Sequence, residues 1–313
     1  MRNFKILLVG LLLVSPGLAV ADASNVPGAA TWYFHVDLEQ MRSEGAGKGL
    51  YDWMVDEVFA ELKEDTGVDI EKELDRLTAY SLAGQGPVFL FEGNISQESK
   101  DRLMTIIAME GDLEPSKSSG KSYYRLSGSD EHDRNLDFDG GNIEIQLEAL
   151  EDESWISMAL ANKVLVTSSE EQMQALLKNG GNIAGKRSHN GALIVLTAEK
   201  ALLQAGMDSA ALGGDDDSGW DSNILRHTEQ VAFLVAAAAN KLAIEAKLVT
   251  TEPEMAESLA SVVRGLVSLV AFSDDLDDEV IAVLRGIKIK TDGRSLSISL
   301  AIDPDVIVAA LSD

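Results

Sequence analysis

The chain has 313 residues, no cysteine and a formal net charge of −26 at pH 7. Without cysteine it forms no disulfide, no thiolate metal site and no cysteine-linked lipid anchor. Its acidity opposes binding to nucleic acid or to anionic lipid, because both require clustered lysine and arginine. The acidic residues are spread along the chain, which favours a solvated surface over one dedicated to cations or to a basic partner.

The first 21 residues predict a secretory signal peptide. Arg2 and Lys5 precede an apolar run over residues 6–14, and Ala19 and Ala21 are the small residues that a signal peptidase reads. The run is shorter than the roughly 20 apolar residues that span a bilayer. We therefore expect cleavage after Ala21 and a periplasmic or secreted mature protein, with no membrane insertion after cleavage.

The remaining chain repeats one pattern twice. Each copy begins with a predicted strand, an acidic residue and the start of a helix, from Thr31 in the first copy and from Ala192 in the second. Two units, each a hairpin followed by a helix, come after this start in both copies. The predicted hairpin turns lie at Gln85-Gly86, Asn162-Lys163, Asn240-Lys241 and Asp292-Gly293. We expect the two asparagines to be there because asparagine tolerates a positive φ.

The strands and helices of these units have the expected periodicities. After Asp292-Gly293, apolar residues alternate with Ser295, Ser297 and Ser299, which is typical of a half-buried antiparallel strand. Capping residues are predicted before three helices, at Ser169 with Gln172, at Thr251 with Glu254, and at Asp303 before Pro304. Glycines 45, 47 and 49 are interpreted as a flexible joint before a helix that begins near residue 50.

We predict an α+β fold of two repeated halves, each an antiparallel sheet of β-hairpins with helices packed on one face. The halves span 22–185 and 186–313. The first carries a polar insertion at 112–141, with a short strand at 122–126, and the second carries a charged loop at 213–219. The pattern does not decide whether the halves share one sheet. This organisation resembles a family of exported bacterial proteins built from a duplicated α+β unit, without an assigned function; the resemblance implies export and fold and supplies no site residues.

The sequence contains no familiar catalytic motif, and we predict no catalytic residue. The histidines are not at metal-binding spacing, and neither a nucleophile elbow nor a nucleotide-binding loop is present. The four are His35, His132, His189 and His227. A structural or solvated role is the expectation for each of them.

The candidate metal ligands are Asn135, Asp137 and Asp139. Together with Gly140 they imitate the start of a calcium loop, in which alternating oxygen ligands surround the cation. The pattern fails at Gln146, where such a loop needs a bidentate glutamate. A polar hairpin turn is the competing interpretation.

Three functions stay open. The first is a non-catalytic binding or scaffolding protein of the bacterial envelope, with an envelope protein as its partner. The second is a hydrolase that uses paired carboxylates between the halves. The third is a calcium-dependent module that orders its acidic loops around the ion. The segments in which the halves differ, 112–141 and 213–219, are where we expect the function to lie.

Overall fold

The computed structural model describes residues 30–43, 45–128, 153–182, 191–200, 227–270 and 278–312. They form one twelve-stranded antiparallel sheet with helices against it. The strands are β1 (Ala30–Asp37), β2 (Arg76–Leu82), β3 (Pro87–Glu92), β4 (Gly111–Ser118), β5 (Lys121–Gly128), β6 (Glu153–Leu160), β7 (Lys163–Thr167), β8 (Ala192–Glu199), β9 (Thr228–Ala238), β10 (Lys241–Thr250), β11 (Lys288–Asp292) and β12 (Ser295–Ile302).

The described helices are mostly short. They are α1 (Leu38–Ser43), α2 (Gly45–Met54), α3 (Ala60–Thr66), α4 (Ile70–Glu73), α5 (Gln97–Glu110), α6 (Glu170–Lys178), α7 (Pro253–Val270), α8 (Asp278–Arg285) and α9 (Pro304–Ser312). A π-helical turn, Val55–Phe59, joins α2 to α3. No helix within the described ranges is long and apolar enough to cross a membrane.

The two halves share one sheet. The strand order is β11-β12-β10-β9-β8-β1-β2-β3-β7-β6-β5-β4, and the leading strands β1 and β8 pair with each other, with Phe34 opposite Leu196. Outwards from this pair, each half places its hairpins in the same order, and the β4–β5 hairpin extends the first half. The strand order is therefore approximately two-fold symmetric about the Phe34–Leu196 pair. The predicted α+β class is confirmed. The sequence left open whether the two halves share one sheet, and the structure shows that they do.

One predicted reason for the hairpin turns is wrong. Between β9 and β10 the residue with a positive φ is Ala239, at 55°, and within the described chain neither Asn162 nor Asn240 has a positive φ. Ala238 pairs with Lys241, so Ala239 is the first residue of a two-residue turn. That is the position at which a type II′ turn requires a positive φ.

Two of the three predicted helix caps are present. The Ser169 hydroxyl accepts the backbone N–H of Gln172 at 3.3 Å, and Asp303 Oδ1 accepts the N–H of Asp305 at 3.3 Å. The third prediction is wrong because α7 begins at Pro253, too late for Thr251 to cap it. The Thr251 hydroxyl lies 3.4 Å from a ring nitrogen of His227 instead.

Two large apolar clusters lie on opposite faces of the sheet. The front face, which presents Phe34 and Val36, is covered over the second half by α1–α3 and by α7–α9. The back face, which presents Tyr33 and His35, carries α6 over the first half. The helices thus lie on both faces rather than on one. Strands β3 and β7 are apolar on both sides, so α6 can pack behind them, whereas the back face of β10 and β12 carries Glu245, Lys247, Ser297 and Ser299.

Helices of the first half cover strands of the second. Met41 and Leu50, from α1 and α2, pack with Leu193, Leu242 and Leu300. The glycines of α2 are not the predicted flexible joint, because they are helical. A Cβ atom at position 47 would lie 3.1 Å from the Leu193 side chain, so glycine there permits close packing on the sheet.

The predicted polar insertion contains more strand than expected. Residues 111–118 form β4, which pairs with β5 over its whole length, whereas only a short strand at 122–126 was predicted. The polar side chains of β4 hid it, because an edge strand needs no alternating apolar pattern. Residues 129–141 and the charged loop at 213–219 lie outside the described residues.

Candidate functional site

A groove of about 490 Å³ opens on the back face along α6. Its floor is formed by Tyr80 and Leu82 of β2 and by Leu176 of α6. Its rim is polar and consists of Gln85, Ser169, Glu171, Asn179 and Asn182, and the buried Gln172 also lines the groove. The groove runs from the β2–β3 turn, at the start of α6, to the residues that follow the end of the helix.

A buried glutamine holds the β2–β3 turn against α6. Gln172 Nε2 donates to the Gly86 carbonyl at 3.0 Å and to Gln85 Oε1 at 3.2 Å, and its Oε1 accepts the Ser169 hydroxyl at 3.1 Å. A Cβ atom at position 86 would lie 2.0 Å from the Ser168 hydroxyl oxygen, so only glycine permits this approach. These hydrogen bonds therefore fix the end of the groove at the β2–β3 turn.

A row of charges anchors the opposite end of the groove. Asp37, Arg76, Glu92 and Lys163 are cross-strand neighbours on β1, β2, β3 and β7. Arg76 lies 3.3 Å from Asp37, and Lys163 lies 2.8 Å from Glu92 in a pair that is nearly buried. Lys163 Nζ also donates to Asn182 Oδ1 at 3.2 Å, which fixes one rim residue of the groove.

The charges of this row bear on the hydrolase hypothesis. Burial opposes the charge of Arg76, but Asp37 and Glu39 outweigh it and raise the pKa of Arg76. Asp37 and Glu92 each pair with a cation, whereas the hydrolase requires two carboxylates that share one site. The junction between the halves is the β1–β8 strand pair, so the described residues place no cleft there.

The groove chemistry suits an uncharged or weakly basic ligand with an apolar part. The amides of Gln85, Asn179 and Asn182 can both donate and accept hydrogen bonds. Glu171 is the one charged residue among the described residues of the lining. The described residues of the second half form no counterpart, because α9, the equivalent of α6, lies on the front face against Met41 and its neighbours.

The predicted site residues are placed as follows. Asn135, Asp137 and Asp139 lie outside the described residues, so calcium binding there stays a prediction. His132 and His189 also lie outside them. His35 is in the core with Nδ1 2.9 Å from the Thr78 hydroxyl oxygen. Among the described residues, no group of three or more histidine or carboxylate side chains is placed to hold a metal ion.

Sequence reasoning identified parts of the groove without recognising a site. Gln85-Gly86 was predicted as a turn, and Ser169 with Gln172 as a helix cap. Both interpretations are correct locally, but no local pattern shows that the turn and the cap are bonded to each other. The contact joins residues 86 positions apart, and a long-range pairing signal would be needed to find it.

The protein therefore belongs to the α+β class, with one antiparallel sheet that both halves form and a groove on the back face of the first half. No protein-family model and no curated protein matches the chain. Solved structures of the Treponema protein TP0453 are similar over almost the whole length. Crystal form I has 11% sequence identity and a TM-score of 0.44, over 94% of this chain and 98% of that one. Crystal form IV has 13% identity and a TM-score of 0.45, with the same coverage.

Proposed function

We propose that the chain is an exported, non-catalytic binding protein of the bacterial envelope whose groove along α6 receives a segment of a partner protein. The observation that carries the proposal is the groove, whose end at the β2–β3 turn is fixed by Gln172 and which combines an apolar floor with an amide rim. The predicted signal peptide supports a periplasmic or secreted location.

An extended polypeptide segment suits this lining. Helix α6, along which the groove runs, has nine residues and is therefore about 13 Å long. An extended chain of about four residues has the same length. The rim amides can bond to peptide N–H and C=O groups, while the half-buried Leu82 can receive an apolar side chain. Tyr80 is 5% exposed and so provides little ring surface for stacking a sugar.

The experiment places a photo-reactive benzoyl-phenylalanine at Glu171 on the rim and cross-links the protein in the cell envelope. The blocking variant is Ala175→Trp, because Ala175 is exposed on α6 and lines the groove. The matched control is Ala108→Trp, at an exposed position of α5 outside the groove. We expect a discrete protein adduct that Ala175→Trp abolishes and Ala108→Trp preserves. An adduct that survives Ala175→Trp, or no protein adduct at all, would contradict the proposal.

A further inference from the structure

The back face of the second half presents a two-row array of serines and lysines. Lys247, Ser297 and Lys290 are direct cross-strand neighbours on β10, β12 and β11. The next row along the same strands is Glu245, Ser299 and Lys288. Because alternate residues of a strand share one face, all six side chains lie on the same side of the sheet. We call Lys247, Lys288, Lys290, Ser297 and Ser299 the serine–lysine face.

Like Lys117, Lys178 and Lys241, the lysines of this face form no salt bridge with a described acidic residue, although Lys247 and Glu245 interact electrostatically. The chain has 52 aspartates and glutamates against 26 lysines and arginines, so a cation has many opportunities for pairing. In the first half Arg42, Arg76 and Lys163 each form a salt bridge with an acidic residue. Within the described residues, Lys247, Lys288 and Lys290 form no salt bridge, and Ser297 and Ser299 form no side-chain hydrogen bond.

The geometry of the face suits a tetrahedral oxyanion. Neighbouring strands are about 4.8 Å apart, which puts the Cα atoms of Lys247 and Lys290 roughly 10 Å apart with Ser297 between them. Long flexible lysine side chains can converge from both sides above a short serine hydroxyl. Ammonium and hydroxyl groups are all hydrogen-bond donors, the set that recognises phosphate or sulfate. On β9, Ala232 continues the row as another small residue, so the floor stays low.

Glu245 marks one boundary of the face. Burial raises the pKa of Glu245, and the charge of Lys247 acts in the opposite direction. Its carboxylate would repel an anion placed in the second row. The row of Lys247, Ser297 and Lys290 is therefore the better seat.

Protection of the sheet edge explains only part of this arrangement. Lysines on an edge strand discourage pairing with another chain, and β11 is an edge strand. Lys247 is on β10, two strands inward, where it has no such role. Edge protection also gives no reason for adjacent serine hydroxyls without side-chain hydrogen bonds among the described residues.

We propose that the serine–lysine face binds the phosphate groups of a small soluble phosphorylated ligand. At physiological ionic strength charges are screened over about 8 Å, so a small ligand senses mainly the nearby lysines. A large anionic surface, such as a membrane, would also meet the net charge of −26 of the whole chain. This site is separate from the groove, which lies on the first half.

Isothermal titration calorimetry with inorganic tripolyphosphate tests the proposal on the full mature chain. The variant is Lys247→Gln with Lys290→Gln. The control is Lys117→Gln with Lys178→Gln, which removes two exposed lysines elsewhere and changes the net charge equally. We expect wild type and control to bind alike and the Lys247/Lys290 variant to bind at least about ten-fold more weakly, the loss of about 1.4 kcal/mol.

Absence of binding by the wild type overturns the proposal, and so does an equal loss in both double variants. A second arm measures flotation with vesicles of phosphatidylglycerol and of phosphatidylcholine. Lysine-dependent binding to the anionic vesicles without binding of tripolyphosphate would overturn the assignment to a soluble ligand. It would show that the face binds an anionic membrane instead. Circular dichroism of each variant confirms that the fold is retained.

Discussion

Ala239 holds a left-handed backbone conformation at the exposed tip of the β9–β10 hairpin. In this conformation a Cβ atom crowds the following carbonyl oxygen, at a cost of roughly 1–2 kcal/mol. Asn240, its neighbour in the turn, is not in this conformation. A sequence pattern identified the turn correctly and assigned the strain to the wrong residue, because the hairpin register decides which position is first.

The first prediction follows from this strain. Ala239→Gly should stabilise the fold by about 0.5–1 kcal/mol, since relief of the steric cost exceeds the extra entropy of glycine in the unfolded chain. Asn240→Gly should destabilise it slightly, because glycine gains nothing there. Urea unfolding of both variants measures the difference. The assignment fails if Asn240→Gly is the more stable of the two.

At the scale of elements, β4 is an exposed edge strand that carries its own protection. Pro115 lies within it and has no N–H to offer to another chain, and Glu114 and Lys117 add exposed charge. At the other edge, β11 carries Lys288, Lys290 and Asp292. The two sheet edges are therefore poor places for a partner strand, which is a reason to place binding in the groove along α6 instead.

The second prediction concerns this edge. Pro115→Thr restores a backbone donor and a strand-forming residue, so it should increase concentration-dependent self-association. Ser116→Thr makes a similar change of side chain one position along and keeps the proline, so it should remain like the wild type. Light scattering coupled to size exclusion measures both. Equal association of the two variants would show that Pro115 has no protective role.

At the scale of the whole molecule, the two halves are joined into one continuous sheet by the pairing of β1 with β8, where Phe34 lies opposite Leu196. The halves are further joined because α2 of the first half packs on strands of the second, with Leu50 near Leu242 and Leu300. Neither half completes its own core. The two halves therefore share one sheet and one apolar cluster.

The third prediction tests this coupling. Leu50→Ala should cost about 2–5 kcal/mol of unfolding free energy through the loss of buried contacts. Its effect on amide hydrogen exchange should be larger in β10 and β12 than in β3 and β7, although residue 50 belongs to the first half. Leu177→Ala on α6 should show the reverse, because Leu177 packs in the back-face cluster. If Leu50→Ala loosens mainly β3 and β7, the two cores are not shared in this way.

The sequence by itself determined the duplication, the hairpins, the caps at Ser169 and Asp303 and the α+β class. These depend on local periodicity and on short-range turn and cap chemistry, which one stretch of chain contains in full. It did not determine the β1–β8 junction, the position of α6 behind the sheet, the groove or the serine–lysine face. Alternation shows that Ser297 and Ser299 share a side of β12, but it does not show that Lys247 and Lys290 flank them. Such neighbours are decided only by the pairing of strands that are distant in the chain. Although the chain as a whole is strongly acidic, this pairing brings three lysines together on one face of the sheet, and the composition does not show this.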